Sequence, residues 1–455
     1  MNSWLRSLLK PHNIPCQSNS KVISVFHHPY TTQVNKIFED GDEGKPNVAS
    51  KDSRRIYVFG LAEHGALGHT TKVGNERRRQ VPRKCFKYPT RLHFGHYYQI
   101  KDIACGYGFT LVATKHKDPN LRLFGCGINS DSQIGYHDLR KKGSPLELIM
   151  SLVRIPLPFK HPNTQIIRIA AGRAHTIVLT DQEGAFTFGN NSFGQCGRGI
   201  VEGEEYHKKW YCHRIGKLDG EEIVDVVCGQ DHSLFLTASG SVYSSGWSAD
   251  GQTGLGHFNN QDTPSRVKGD VEGENIVRLS CAVDCVLAVN DKGDVFGWGN
   301  SEYGQISDRE MQISVPRILS QCVDKGRIVD VASGGSACIM LNEEGSVYSW
   351  GYGILGQGPK VSRNLTPTLI PSTLFGKHQF NPDSRVTSLT SGVSGFGAVT
   401  NQGALYMWGK NNFAQLGLGN QTDQYFPLKV SVGADVHKVC CGVDHTVVLS
   451  RHFVT

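Results

Sequence analysis

Short runs in which apolar residues alternate with small or polar ones recur along the chain. His175-Thr176-Ile177-Val178-Leu179-Thr180 is a clear case. Its alternation and β-branched content predict a strand packed between neighbours. Asp181-Gln182-Glu183-Gly184 follows, then a second apolar run from Ala185 to Phe188. A short connection ending in Gly predicts a hairpin whose last turn residue needs positive φ. The same device returns at Ala238-Ser239-Gly240, Asp291-Lys292-Gly293, Glu343-Glu344-Gly345 and Asn401-Gln402-Gly403. The second run ends on an aromatic–Gly pair, as at Phe59-Gly60, Phe188-Gly189, Trp298-Gly299, Trp350-Gly351 and Trp408-Gly409. There a large ring is expected to pack against the adjacent unit while Gly lets backbone pass close. A Gly-rich turn and a variable stretch with Pro264, Pro316, Pro367 or Pro427 come next. An apolar run such as Ile276-Val277-Arg278-Leu279 then opens the following unit.

Four short strands per unit with little helix signal predict propeller blades. G-x-x-H-type phrases begin near Gly106, Gly172, Gly229, Ala282, Gly334, Gly392 and Gly442. Aromatic–Gly phrases centre on Gly60, Gly125, Gly189, Gly246, Gly299, Gly351 and Gly409. The chain starts with the second kind and ends with the first. Cys441 to Leu449 therefore has no downstream partner, and Ile56 to Gly68 has no upstream one. Together they complete one blade. The predicted fold is all-β, a seven-bladed β-propeller over 54–455 whose ring is closed by a blade shared between the N- and C-terminal segments. Such closure leaves few exposed strand edges.

Residues 1–38 carry Arg6, Lys10, Lys21 and Lys36 and no acid. Trp4, Leu5, Leu8 and Leu9 fall on one side of a helix, Ser3, Arg6, Ser7 and Lys10 on the other, and Pro11 ends it. A basic, Ser-bearing, acid-free amphipathic start predicts a mitochondrial transit peptide and a matrix location. Glu39 to Gly44 breaks that composition and opens a linker over 39–53. The apolar stretches are too short for a membrane span.

The net charge of +7 becomes informative once located. Residues 70–98 carry eight basic residues against one acid, 137–160 five against two, and 198–217 five against three. Arg77-Arg78-Arg79, Arg140-Lys141-Lys142 and Lys208-Lys209 are their densest points. Such a concentration suits RNA phosphate, an acidic protein surface or, peripherally, the anionic inner membrane. Trp210-Tyr211 and Tyr97-Tyr98 would add stacking surface for single-stranded RNA. A solvated basic loop with no dedicated partner is the plainer reading.

The thirteen cysteines are an odd number and include no C-x-x-C pair, which argues against structural zinc. Several precede the repeat Gly (Cys105, Cys228, Cys440 or Cys441), a slot for a small buried hydrophobe. Cys281, Cys285 and the vicinal Cys440-Cys441 are candidates for a redox site. No phosphate loop, H-E-x-x-H or G-x-S-x-G motif is present. No catalytic residue, metal or cofactor is expected, no DNA-binding motif is apparent, and a monomer is expected. What remains is the G-x-x-H position. His175, His232 and His445 occupy it, and acids precede it at Asp231, Asp284 and Asp444. Recurrence favours a histidine that hydrogen-bonds between blades. The functional alternative places Asp231-His232 and Asp444-His445 on a binding face.

These phrases resemble the regulator of chromosome condensation repeat, the propeller of the exchange factor for the nuclear GTPase Ran. CGYGFTL, NSFGQCGR, CGQDHSLFLT, ADGQTGLGH, GWGNSEY, WGYGILG, DQYFP and CGVDH together resemble the mitochondrial branch of that family. The resemblance implies nucleotide exchange on a mitochondrial GTPase, the dynamin-like fusion GTPase of the inner membrane. It also implies association with the large mitochondrial ribosomal subunit, its RNA and its assembly factors. GTPase contacts would then fall on His175, Asp231, His232, Asp444 and His445. An RNA-associated scaffold for ribosome biogenesis, without exchange activity, is the alternative. No clear equivalent of the wedge insertion of the Ran factor is present.

Overall fold

Each β-rich unit forms one four-stranded antiparallel sheet, and the computed structural model arranges seven of them as a ring. It describes residues 54–69, 84–139 and 144–451. The expected transit peptide over 1–38, the expected linker over 39–53 and the Arg77–Arg79 and Arg140–Lys142 clusters lie outside the described residues. Blade 1 is Gln99–Cys105, Phe109–Lys115, Leu123–Ile128 and Leu148–Arg154. Blade 2 is Ile166–Ala171, His175–Thr180, Ala185–Gly189 and His213–Ile215. Blades 3 to 6 open at Ile223, Ile276, Ile328 and Val386 and repeat the order. Blade 7 takes Val436–Cys441 and His445–Arg451 from the end of the chain, Arg54–Leu61 and Cys85–Leu92 from its start. Ile56 pairs with Leu449 and Gly60 with His445, so the predicted shared blade is formed.

Burial follows position in the blade. In blade 3 the strand His232–Thr237 is buried throughout, while the fourth strand Gln261–Arg266 is half-buried or exposed. First strands of successive blades meet, as Ile166–Ala171 meets Ile223–Cys228, so they line the ring centre. The apolar core lies between blades: one cluster joins Leu234 of blade 3, Val286 and Trp298 of blade 4, and Trp350 of blade 5. The aromatic–Gly pairs behave as expected. Trp298 Nε1 donates to the Gln252 carbonyl of the preceding blade at 3.0 Å, and Trp350 Nε1 to that of Gln305 at 2.7 Å. Carboxylates add a second tie. Asp102 accepts from the Ile169 amide at 3.0 Å, and Asp330 from the Leu389 amide at 2.9 Å.

Two details correct the sequence reading. In blade 1 the special glycine is Gly127, paired with Phe109 at φ 113°, and not Gly125, which packs inside the strand against Ile134. In blade 2 that position is Gly189, φ 103°, where a Cβ would stand 2.4 Å from the Ala174 carbonyl oxygen. The extra Cys126-Gly127 moved the pattern by two residues. The basic stretches are also shorter as loops than they look, because Cys85–Leu92 and Leu148–Arg154 are fourth strands.

Candidate functional site

One face of the ring gathers the loops that join first to second strands. The register places another set beside them: His175 pairs with Gly189, so each third strand ends where the second begins. Loops from third to fourth strands therefore leave from this same face. They include 190–212, which carries Lys208 and Lys209, and the strands flanking 62–84 and 129–147 end here too. Lys208 and Lys209 thus share this face with the first-to-second loops that carry Asp231 and Asp444.

Backbone hydrogen bonds stitch the first-to-second loops together. Tyr107 N donates to Gly172 O at 3.3 Å, Arg173 N to Gln230 O at 2.8 Å, and Gln230 N to Val283 O at 2.9 Å. The residue after the repeat Gly (Ala282 in blade 4) divides the face. It is Tyr107, Arg173 and Gln230 in blades 1 to 3, but Val283, Gly335, Val393 and Val443 in blades 4 to 7. The polar sector is the only part with a charged group in this slot.

The three histidines lie in the walls between blades, each at 0% exposure. His175 Nε2 stands 3.1 Å from Ser233 Oγ, whose own proton goes to the Gln195 carbonyl. His175 therefore carries its proton on Nε2. His232 Nε2 is 3.6 Å from Cys281 Sγ. Burial pushes both rings down to about 3, so both are neutral. His445 is placed differently: Nδ1 donates to Asp444 at 3.0 Å, and Nε2 stands 2.9 Å from Thr110 Oγ1. Each ring spans from its own blade to the next. As placed, none offers an atom to a partner.

The carboxylates differ. Asp231 is 6% exposed and holds Arg173 with both oxygens, at 3.0 Å from Nε and 2.8 Å from Nη2. Burial raises its pKa against the opposing pull of Arg173. Asp284 is 7% exposed, accepts from Gln252 Nε2 at 3.0 Å, and is raised to about 7 by burial and then by Asp250. The Tyr107 hydroxyl reaches Gln230 Oε1 at 3.4 Å, and burial raises it well above the usual phenol range. Tyr107, Arg173, Asp231 and Asp284 thus form one electrostatic group over blades 1 to 4. Asp444 lies apart on blade 7, against His445 and, at 3.8 Å, His64. Sequence reasoning passed over Arg173 and Tyr107. The signal was available in the slot after the repeat Gly, where they break an otherwise apolar or amide series.

Of the basic candidates, Lys208 and Lys209 are described and exposed. Lys208 pairs with Glu205 at 2.6 Å, and Lys209 lies 5.2 Å from the Tyr211 ring, which also faces Arg198 at 5.3 Å. Trp210 is not a stacking platform: it packs edge-on against Phe188.

The RCC1-like domain model matches residues 212–453, and the regulator of chromosome condensation (RCC1) repeat matches 55–113, 183–236 and 166–195. The chain belongs to the RCC1 repeat family. It is 46% identical over 410 residues to the mouse RCC1-like G exchanging factor-like protein, covering 88% of each chain. Its fold matches the crystal structure of human WBSCR16 with TM-score 0.82 at 43% identity, over 88% of this chain and all of that one. Yeast RCC1 (Prp20), solved bound to Kap60, shares the fold at 19% identity and TM-score 0.71, covering 91% of this chain and 95% of that one.

Proposed function

We propose that the chain is a guanine-nucleotide exchange factor that works by binding a GTPase on the face just described. Its relatives carry the exchange-factor name, and Prp20p of Saccharomyces cerevisiae, which shares the fold, has binding properties to Gsp1p. The observation that carries the reading is the Arg173–Asp231 pair, a charged group held at the loop end of neighbouring blades where blades 4 to 7 put valine or glycine in the arginine's slot. Exchange of this kind needs no catalytic acid or base. The propeller need only bind the nucleotide-free GTPase more tightly than the loaded form, and by linkage nucleotide affinity falls by the same factor. Asp231 can exchange its Arg173 partner for a GTPase lysine, and Arg173, 36% exposed, is then free for a carboxylate or phosphate. The histidines hold the blades in register behind this pair. The basic N-terminal segment supports a mitochondrial GTPase, and the dynamin-like fusion GTPase is the substrate tested first. Exchange of labelled GDP should be accelerated by the full chain. Arg173→Ala and Asp231→Ala should each lower that acceleration roughly tenfold. Unchanged acceleration in both would sink the reading.

A second reading is association with mitochondrial large-subunit RNA. It is supported by the exposed Lys208 and Lys209 on the same face, Lys209 lying over the half-buried Tyr211 ring. It predicts RNA affinity that falls steeply with salt, because phosphate contacts release counterions.

A further inference from the structure

Two cysteine pairs bridge neighbouring blades. Cys285 of blade 4 and Cys338 of blade 5 have sulfurs 3.9 Å apart and are shut in the core at 1% and 0% exposure. The second pair joins the first strands of blades 7 and 1. The Cys105 amide donates to Cys440 Sγ at 3.0 Å, and Cys105 Sγ lies 3.2 Å from the Cys440 carbonyl oxygen. The Cys105 thiol thus donates to the Cys440 carbonyl while its amide holds the Cys440 sulfur. Cys105 is 7% exposed and Cys440 half-buried, so this pair has an approach that the core pair lacks. Lys438, two residues before Cys440 on the same face of the strand, brings an ammonium beside it and pairs with Asp102 of blade 1.

The amide and the ammonium both favour an anion on the Cys440 sulfur. Contact with Cys105, and then Lys438 against the opposing burial, brings the Cys440 thiol down to about 7. Burial sends its neighbour Cys441 the other way, to about 12. The vicinal pair suggested by the sequence is therefore chemically unequal, and the partner of Cys440 is Cys105, 335 residues away.

We propose that Cys440 and Cys105 are an oxidation site that latches the ring: a hydroperoxide converts them to a disulfide tying blade 7 to blade 1. The Cys440 thiolate attacks one peroxide oxygen. The O–O bond breaks and hydroxide leaves, giving a sulfenic acid. The Cys105 thiol attacks that sulfur, the S–S bond forms, the S–O bond breaks, and water leaves with the Cys105 proton. The two sulfurs lose two electrons in all and the peroxide gains them. A dithiol reductant reverses the step. Without this bond the ring is closed by the hydrogen bonds between Arg54–Leu61 and His445–Arg451. With it, the C-terminal strand pair is held covalently across 335 residues of chain, and constraint of the unfolded state grows with loop length.

The test uses the full chain, reduced, desalted and treated with a few equivalents of hydrogen peroxide. Remaining thiols are alkylated, and the protein is digested without reductant for peptide mapping. The expected product joins the Cys105 and Cys440 peptides. The thermal midpoint should rise on oxidation and return with dithiothreitol. Cys441→Ser should keep both effects, and Cys440→Ser should lose both. In Cys105→Ser, Cys440 should accumulate a sulfenic acid that dimedone traps. Wild-type mapping decides the matter alone if a variant does not fold. A Cys440 that stays alkylatable, a Cys440–Cys441 link, a Cys285–Cys338 link formed in place of Cys105–Cys440, or an unchanged midpoint would each overturn the proposal.

Discussion

Asp231-His232 and Asp444-His445 are the same dipeptide in the same repeat position, yet they are chemically opposite. On blade 3 the carboxylate turns outward to Arg173 of the neighbouring blade, and the histidine is left neutral against a thiol. On blade 7 the carboxylate turns back onto its own histidine and onto His64. Burial would raise Asp444, but the hydrogen bond from His445 and the nearby His64 outweigh it and hold its pKa well below the carboxylate range. The difference comes from residues outside the dipeptide. A neighbouring arginine joins one copy in a charged pair that reaches solvent through Arg173, and a neighbouring histidine makes the other a brace for the closing blade. The comparison separates a candidate for binding from a candidate for stability within one repeat phrase.

The largest effect should come from removing the brace altogether. Deleting 440–455 takes out His445–Arg451, the strand flanked on one side by Val436–Cys441 and on the other by Arg54–Leu61. Both neighbours lose their ladders and the apolar cluster around Phe59 and Val448 opens. The truncated chain should be insoluble or should melt without cooperativity. A soluble protein with a sharp calorimetric transition would show that the ring does not need its shared blade.

Point changes should split the two copies. Asp444→Ala leaves His445 Nδ1 and its link to Thr110 unsupported at 0% exposure, which should cost about 1–3 kcal/mol. Asp231→Ala leaves a half-exposed Arg173 that water can reach, and should cost about 1 kcal/mol or less. Exchange should fall in the second variant and hold in the first below its melting temperature. Denaturant titration and nucleotide release, measured side by side, check both halves. Equal losses of stability would erase the distinction.

This split bounds what the sequence could convey. The blades, their number and the shared closure were legible because each rests on a local device repeated many times: alternation, a hairpin Gly, an aromatic–Gly pair. The face was legible only in outline. His175, His232 and His445 stood out by recurrence, and recurrence marks what every blade needs. The distinctive residues, Arg173 and Tyr107, are exceptions in a slot, and their partners lie 58 and 123 residues away. No local pattern reports contacts of that kind. The same holds for Cys440, whose partner is on the far side of the ring closure.

The third copy, Asp284-Cys285, sharpens the comparison through pH. Asp284 has a folded pKa raised to about 7, against 3.8 for an ordinary carboxylate. A raised pKa means that its stabilising contribution is complete below about 4 and fades as pH rises to about 7. Asp284→Asn should thus match the wild type near pH 4 and exceed it in stability above pH 7, with the gap opening between. Asp444 is depressed, so its contribution is present above 3.8 and is lost only as pH falls further. Asp444→Asn should be weaker than the wild type at neutral pH and converge with it in strong acid. Urea midpoints across pH 4 to 8 test Asp284→Asn, and extension into strong acid tests Asp444→Asn. A gap for Asp284→Asn that is flat over this window would mean that the carboxylate is already ionised in the fold.

His64 gives the smallest effect and the finest test. The Asp444 carboxylate 3.8 Å away raises its pKa above 6.5, against an opposing effect of burial. A raised histidine stabilises the fold fully below about 6.5, and that contribution disappears as pH rises through the folded value. The ring is 44% exposed, so the gain is screened and should stay under about 1 kcal/mol. His64→Ala should therefore lower the melting temperature slightly at pH 5.5 and leave it unchanged at pH 9. In an Asp444→Asn background the pH 5.5 effect should vanish, because the group that raises His64 is gone. If it persists there, His64 supports the closing blade by packing and not by charge, and the contrast between the two Asp-His copies rests on Arg173 alone.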